Sequence, residues 1–206
     1  LINYISKVNG HECYNHGMVK RREIVEKVEG ELETVVFGAG CFWCSEAAFS
    51  QLRGVSSVIP GYAGGAKKNP SYQQVCSGTT GHAEVVKVQY DPDQVELLDL
   101  LSVYFVIHDP TTYNRQGDDV GSQYRSIILY TNTDQKNVIK QFIGKLTHQK
   151  LWPGPIVTEL SPLDVFYPAE SEHLDYYTTH QDQRYCQVVI NPKLSKLRTK
   201  YPYLLK

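Results

Sequence analysis

Apolar positions along this chain follow two spacings, and glycines and prolines mark most of the changes from one to the other. Thr34-Val35-Val36-Phe37 is a short β-branched and aromatic run that predicts a strand, and Phe42, Phe49 and Leu52 then recur at helical spacing, predicting a helix over about 41–52. Gly54 closes that helix. Val55 to Tyr62 reads as a strand, followed by a Gly64-Gly65 turn and a polar loop through Thr80 that carries Tyr72. In the next strand, Ala83 to Tyr90, a period of two places Glu84, Val86, Val88 and Tyr90 on one face and Val85, Lys87 and Gln89 on the other. Beyond Asp91-Pro92-Asp93, the residues Leu97, Leu98, Leu101, Tyr104 and Phe105 predict a core helix that His108-Asp109-Pro110 ends. A polar loop from Thr111 to Gln123 leads to a strand at Tyr124–Tyr130. An amphipathic helix from Thr133 to about Leu146 and a strand at Ile156–Leu160 follow, separated by Gly154-Pro155. This order predicts an α+β fold, a two-layer sandwich of helices on one sheet with a ferredoxin-like core.

Composition narrows the function. A length of 206 residues fits one domain, here 34–206, preceded by a mixed polar arm over 1–33 in which Gly10 and Gly17 interrupt any periodicity. The formal net charge of -1 and the scattered Lys and Arg, whose longest cluster is Lys20-Arg21-Arg22, argue against a nucleic-acid partner. No apolar run reaches the length of a membrane span and no signal-peptide pattern is visible, so a soluble, cytoplasmic protein is expected. An organellar location stays open, because the first residue is Leu and a targeting segment could precede it. Five cysteines without dense regular spacing point to a reducing compartment and to redox or catalytic use. No metal is expected: His11, Cys13 and His16 lack a nearby fourth ligand, and Asp118 and Asp119 lack the spaced ligands of a calcium loop.

The chemistry concentrates in Gly38-Ala39-Gly40-Cys41-Phe42-Trp43-Cys44-Ser45-Glu46-Ala47, where an apolar strand ends, glycines turn the chain and a helix begins. A thiol there faces unpaired backbone N–H groups and the positive end of the helix dipole, which favour thiolate and predict a depressed pKa for a nucleophilic Cys41. Cys44 completes a Cys-x-x-Cys pair. Structural zinc is disfavoured because Cys13, Cys76 and Cys186 are isolated, whereas such sites take two pairs. Glu84 shares its strand face with apolar residues; desolvation there would raise its pKa and make it a general acid, against the plainer reading of an exposed strand end.

Gly40-Cys41-Phe42-Trp43 after an apolar strand resembles the active-site signature of the peptide methionine sulfoxide reductase A family. Further blocks match in order: Gly61-Tyr62-Ala63-Gly64-Gly65, Gly81 to Val86, Asp118 to Ser126, and Phe166-Tyr167-Pro168-Ala169-Glu170. The resemblance implies reduction of methionine S-sulfoxide, free and in proteins, through a sulfenic acid on Cys41 and an intramolecular disulfide. It implies that Tyr72 and Tyr124 hydrogen-bond the sulfoxide oxygen, that Phe42 and Trp43 form an apolar pocket for the substrate methyl, and that Asp119 is an orienting acid beside them. Cys186 matches the family's resolving thiol, carried on a long irregular tail over about 164–206 with a short helix near Glu172–Tyr177; Cys44 is the local alternative. The reductant implied is thioredoxin, or dithiothreitol in vitro, with no bound cofactor and a monomeric chain. Three departures stand out. Cys44 replaces a glycine common after Phe-Trp, Leu174 replaces the Gln usual after His173, and no cysteine follows Cys186, which argues against a three-thiol relay. Two other classes remain: a cysteine hydrolase using His82 or His173 as base, and a non-catalytic redox-sensing domain.

Overall fold

Strand β1 (Glu33–Ala39) runs through the middle of the sheet, with Val35, Val36 and Phe37 fully buried. The computed structural model describes residues 31–206; nearly all of the expected arm, with His11, Cys13 and His16, lies outside the described residues. The elements that follow are α1 (Phe42–Phe49), β2 (Val55–Ala63), α2 (Tyr72–Cys76), β3 (Ala83–Tyr90), α3 (Leu97–Ile107), β4 (Arg115–Gln116), β5 (Asp119–Val120), β6 (Ser126–Tyr130), α4 (Thr133–Gln149), β7 (Glu159–Pro162), β8 (Phe166–Pro168), α5 (Tyr176–Thr179) and α6 (Asn191–Lys200). Six strands form one mixed sheet in the order β7-β6-β1-β3-β2-β8, where only the β6–β7 pair is parallel. β4 and β5 make a separate two-stranded ribbon.

The alternation in β3 has the expected consequence. Val86, Val88 and Tyr90 join the main core with Phe37, Phe49, Leu101 and Tyr104, while Val85 joins a smaller cluster with Val36, Ile127 and Leu129 on the other face, partly covered by Leu163 and Phe166. Helix α1 is buried on every side except at Trp43, because it lies between the sheet and α3, α5 and α6. An amphipathic pattern could not report it. The Phe37 ring stacks between Phe49 and Tyr104 at centroid distances of 5.0 and 5.1 Å, tying β1 to α1 and α3.

Several boundaries differ from those the sequence predicts. Helix α1 stops at Phe49, and Leu52 instead bridges to Leu205. The expected loop at Tyr72 holds the one-turn helix α2, whose Ser71 and Gln74 form a reciprocal capping box. The Thr111–Gln123 loop contains the β4–β5 ribbon, and Tyr124 lies in a 3-10 turn (Ser122–Tyr124) ahead of β6. The segment expected to be an irregular tail is largely wound: edge strand β8, a 3-10 turn at Ser171–His173, α5, a π-helical turn at Cys186–Ile190 and the ten-residue α6.

Candidate active site

Gly40 makes the turn that aims Cys41. Its φ of +88° is one that side chains resist, and a Cβ there would sit 2.6 Å from Gln116. Cys41 is the N-cap of α1, and Phe42, at the first helical position, donates its N–H to Glu84 Oε2 at 3.1 Å. Glu84 is only 1% exposed. Burial pushes its carboxyl up to about 8, against the Phe42 hydrogen bond and helped by the charges of Asp119 and Cys44. The carboxyl is therefore largely protonated at neutral pH.

This arrangement changes the expectation for Cys41. Cys41 stands outside the first turn, and the N–H facing the site is taken by Glu84, so the helix terminus favours the acid rather than the sulfur. Burial, then the neighbouring Cys44, pushes the Cys41 thiol up. The hydrogen bond from Cys41, together with Lys193 and against burial, brings Cys44 down to about 7. The two thiols titrate as one coupled pair in which Cys44 is the more acidic member.

All seven residues expected at the site, Cys41, Phe42, Trp43, Tyr72, Glu84, Asp119 and Tyr124, line one cavity of about 50 Å³, with Tyr185 as an eighth wall. Burial and the Glu84 charge push both the Tyr72 and Tyr124 phenols up, so both remain hydrogen-bond donors. The Tyr185 hydroxyl donates to Asp119 Oδ2 at 2.9 Å and also reaches Cys41. Burial, then the charges of Cys44 and Asp182, push the Cys186 thiol up.

The walls are braced from behind. Trp43 Nε1–H donates to His173 Nδ1 at 3.3 Å, its ring stacks on Tyr176 at 3.7 Å, and His173 packs on Tyr72 at 4.4 Å. Glu170 accepts from the Tyr72 N–H at 2.8 Å and from the Tyr62 hydroxyl at 2.7 Å. Arg125 donates from Nη2 to the carbonyls of Gly64 and Gly81 at 3.3 and 3.1 Å. Its Nη1 donates to Ser122 O at 2.9 Å and its Nε to Glu159 at 3.1 Å. One guanidinium thus holds both ends of the segment that carries Tyr72 and the turn that carries Tyr124. Sequence reasoning left out Tyr185, Tyr176, Glu170 and Arg125 as site residues; the Phe166–Glu170 and Asp118–Ser126 blocks were the available signal for the last two.

Neither histidine of the hydrolase reading serves Cys41. His82 uses both ring nitrogens on Gly65 N–H and Lys67 O, and His173 Nδ1 is taken by Trp43. Among the described residues no group of three or more His, Cys, Asp or Glu side chains is placed to hold a metal ion, and no helix is long and apolar enough to cross a membrane.

The profile of the family described as peptide methionine sulfoxide reductase matches residues 33–203. This chain belongs to that family. The peptide methionine sulfoxide reductase MsrA of Granulibacter bethesdensis is 50% identical over 167 residues, 81% of this chain and 90% of the relative. Among solved structures, methionine sulfoxide reductase A of Corynebacterium diphtheriae aligns with a TM-score of 0.70 at 36% identity, covering 73% of this chain and 76% of that one. Mxr1 from Saccharomyces cerevisiae in reduced form aligns at 0.69 and 31% identity, covering 75% and 89%. The mixed α+β fold with a curled sheet is that of these reductases, and the chemistry of the family is oxidoreduction of methionine sulfoxide.

Proposed function

We propose that this reductase acts on the S epimer of methionine sulfoxide, free and in oxidised proteins, with Cys41 as nucleophile and Glu84 as general acid. The observation that carries the reading is that a buried, protonated carboxyl and the helix-capping thiol open onto the same small cavity. Phe42 and Trp43 receive the substrate methyl, Tyr72 and Tyr124 donate to the sulfoxide oxygen, and Asp119 is oriented by Tyr185. Cys41 passes its proton to the neighbouring Cys44 thiolate and attacks the sulfoxide sulfur while the Glu84 proton moves to the oxygen. The net products are methionine, a Cys41 sulfenic acid and an ionised Glu84. A second thiol, Cys186 or Cys44, condenses with the sulfenic acid to a disulfide and releases water. An external dithiol, thioredoxin or dithiothreitol, then restores the thiols.

The antiparallel order β6-β1-β3-β2 supports reading the core as a ferredoxin-like sandwich, with residues 164–206 as a tail wrapped around it. The family match over 33–203 supports a single catalytic unit at 34–206. Four free cysteines among the described residues support a reducing location, the cytoplasm.

Incubation with resolved methionine S- and R-sulfoxides plus dithiothreitol tests the reading. The S epimer should be consumed, the R epimer spared, and Cys41→Ser should abolish turnover. Equal use of both epimers, or an active Cys41→Ser variant, removes it.

A further inference from the structure

A cavity of about 320 Å³ that shares no wall residue with the active site lies where α1, the tail around α5 and α6 meet. Glu46 and Ala47 from α1, Asp175 and Tyr177 from the tail, and Arg198 from α6 stand on its walls, whose surface is mainly apolar. Glu46 follows Trp43 by three residues on α1, and Asp175 and Tyr177 flank the Tyr176 ring that stacks on Trp43 at 3.7 Å. The Trp43–Tyr176 stack thus joins the elements that line the two cavities.

Most donors on these walls are already committed. The Tyr177 hydroxyl donates to Asn191 Oδ1 at 2.7 Å, the Thr178 hydroxyl to Asp175 O at 2.7 Å and the Gln51 amide to Ala47 O at 2.6 Å. Arg198 donates from Nε and Nη2 to Gln51 Oε1 at 3.1 and 3.0 Å. An acceptor is what remains. Glu46 is only 2% exposed; its Oε1 accepts the Asp175 N–H at 2.9 Å, but its Oε2 has no hydrogen-bond partner. Asp175 brings a second carboxylate, exposed at the rim. A buried acceptor without a partner is unfavourable, and a ligand that donates to it relieves this. Two carboxylates face one guanidinium here, so an ionised Glu46 leaves room for one positive charge.

We infer that this cavity is a binding site for a primary ammonium group on a short alkyl chain, with Glu46 Oε2 and the Asp175 carboxylate as its acceptors. The ammonium carries three donors, enough for both carboxylates and the Ser50 hydroxyl, and its methylenes lie along Ala47 and the Tyr177 ring. The volume is at the small end of the roughly 300–1,000 Å³ range of small-molecule sites. Burial pushes Glu46 up to about 7, so the charge that pairs with the cation forms as pH rises through that value. Asp175 from the tail and Arg198 from α6 are the charged groups that share the cavity with it. Two sources carry this chemistry: a free alkylamine, and a lysine of an oxidised protein whose methionine sulfoxide occupies the active site. The lysine is within reach, because three residues of α1 rise about 4.5 Å and an extended chain covers about 3.3 Å per residue.

The test melts the reduced full chain in n-butylammonium chloride, against n-butanol and against sodium chloride at equal ionic strength. At pH 8 the ammonium should raise Tm saturably, by about 3–6 °C at ten times its Kd. At pH 6, where Glu46 is protonated, it should bind about tenfold more weakly. Glu46→Gln should abolish the shift, and Asp175→Asn should weaken binding at least about threefold. No saturable shift at pH 8, the same shift with n-butanol, or an undiminished shift in Glu46→Gln overturns the site; should Glu46→Gln not fold, an undiminished shift in Asp175→Asn does so. Blocked peptides holding one methionine S-sulfoxide, with Lys or norleucine two to four positions away, then assign the source. A KM at least about threefold lower for Lys, lost in Glu46→Gln, supports a protein lysine, and equal KM values support a free amine. Melting involves no turnover, so failure of the site leaves the reductase reading standing, and failure of that reading leaves the site standing.

Discussion

Glu84 takes the Phe42 N–H at 3.1 Å, so the acid and the nucleophile compete for one helix terminus and the acid occupies it. Gln at this position can still accept that hydrogen bond but has no proton of comparable acidity to give. Glu84→Gln should therefore keep the fold while lowering kcat about 10²- to 10⁴-fold, the usual share of a general acid. Because the acid form is lost as pH rises through about 8, wild-type turnover should fall above that pH, and the variant should lack this limb. Steady-state rates between pH 6 and 10 check both; an unchanged rate in Glu84→Gln excludes the role.

The Trp43 ring is fixed from two sides, by the Tyr176 stack and by His173 Nδ1. The nitrogen accepts only while the imidazole is neutral, and burial lowers the His173 pKa in that direction. Tyr176→Ala should raise KM for the sulfoxide roughly 2- to 10-fold through loss of a stack worth about 0.5–1.5 kcal/mol, with kcat nearly unchanged. A fall in kcat at constant KM would place Tyr176 in the chemical step instead.

Glu46 gives a pH-dependent stability. It is 2% exposed, its Oε1 accepts the Asp175 N–H at 2.9 Å, and burial pushes it up to about 7. The folded state thus holds the proton more tightly than the unfolded one. The associated stabilisation is complete below the ordinary value of 4.5 and is lost as pH climbs through about 7. Tm should decline from pH 5 to 8.5, and Glu46→Gln, which keeps the acceptor, should decline less and melt roughly 2–4 °C higher at pH 8.5. Parallel melting profiles for the two proteins would contradict this.

Gly40 allows no methyl group. Gly40→Ala combines a left-handed φ with a Cβ pressed onto Gln116, and should cost about 1–3 kcal/mol in urea unfolding. Activity should drop more than stability alone explains, because the same turn aims Cys41. Full activity in a destabilised Gly40→Ala would separate the turn from the site.

Strand β3 was legible because its two faces meet different environments: alternate residues join two different clusters, and the pattern records that. Helix α1 was legible only through its glycines and its motif, since burial on every side erases the polar stripe that marks a surface helix. The wound tail was missed for another reason. Apart from the ten-residue α6, its pieces are only three to five residues long, held by contacts to α1 and by hydrogen bonds such as Asp175 N–H to Glu46, which no local periodicity encodes. At the site, the strand–turn–helix pattern pointed to Cys41 and the strand alternation to Glu84, while the family resemblance supplied the other five wall residues. The direction of the Cys41 shift depended on Glu84 reaching across from another strand, a tertiary fact that helix-terminus reasoning did not contain.

Arg125 binds the carbonyls of Gly64, Gly81 and Ser122 with one planar fork. Tyr72 and Tyr124 sit 52 positions apart in the numbering yet share that anchor, so the gap between their hydroxyls is set by the span of a guanidinium and not by two separately wandering loops. Loosening the fork should free the two loops to move separately, so that an Arg125 variant erodes the contributions of both phenols at once.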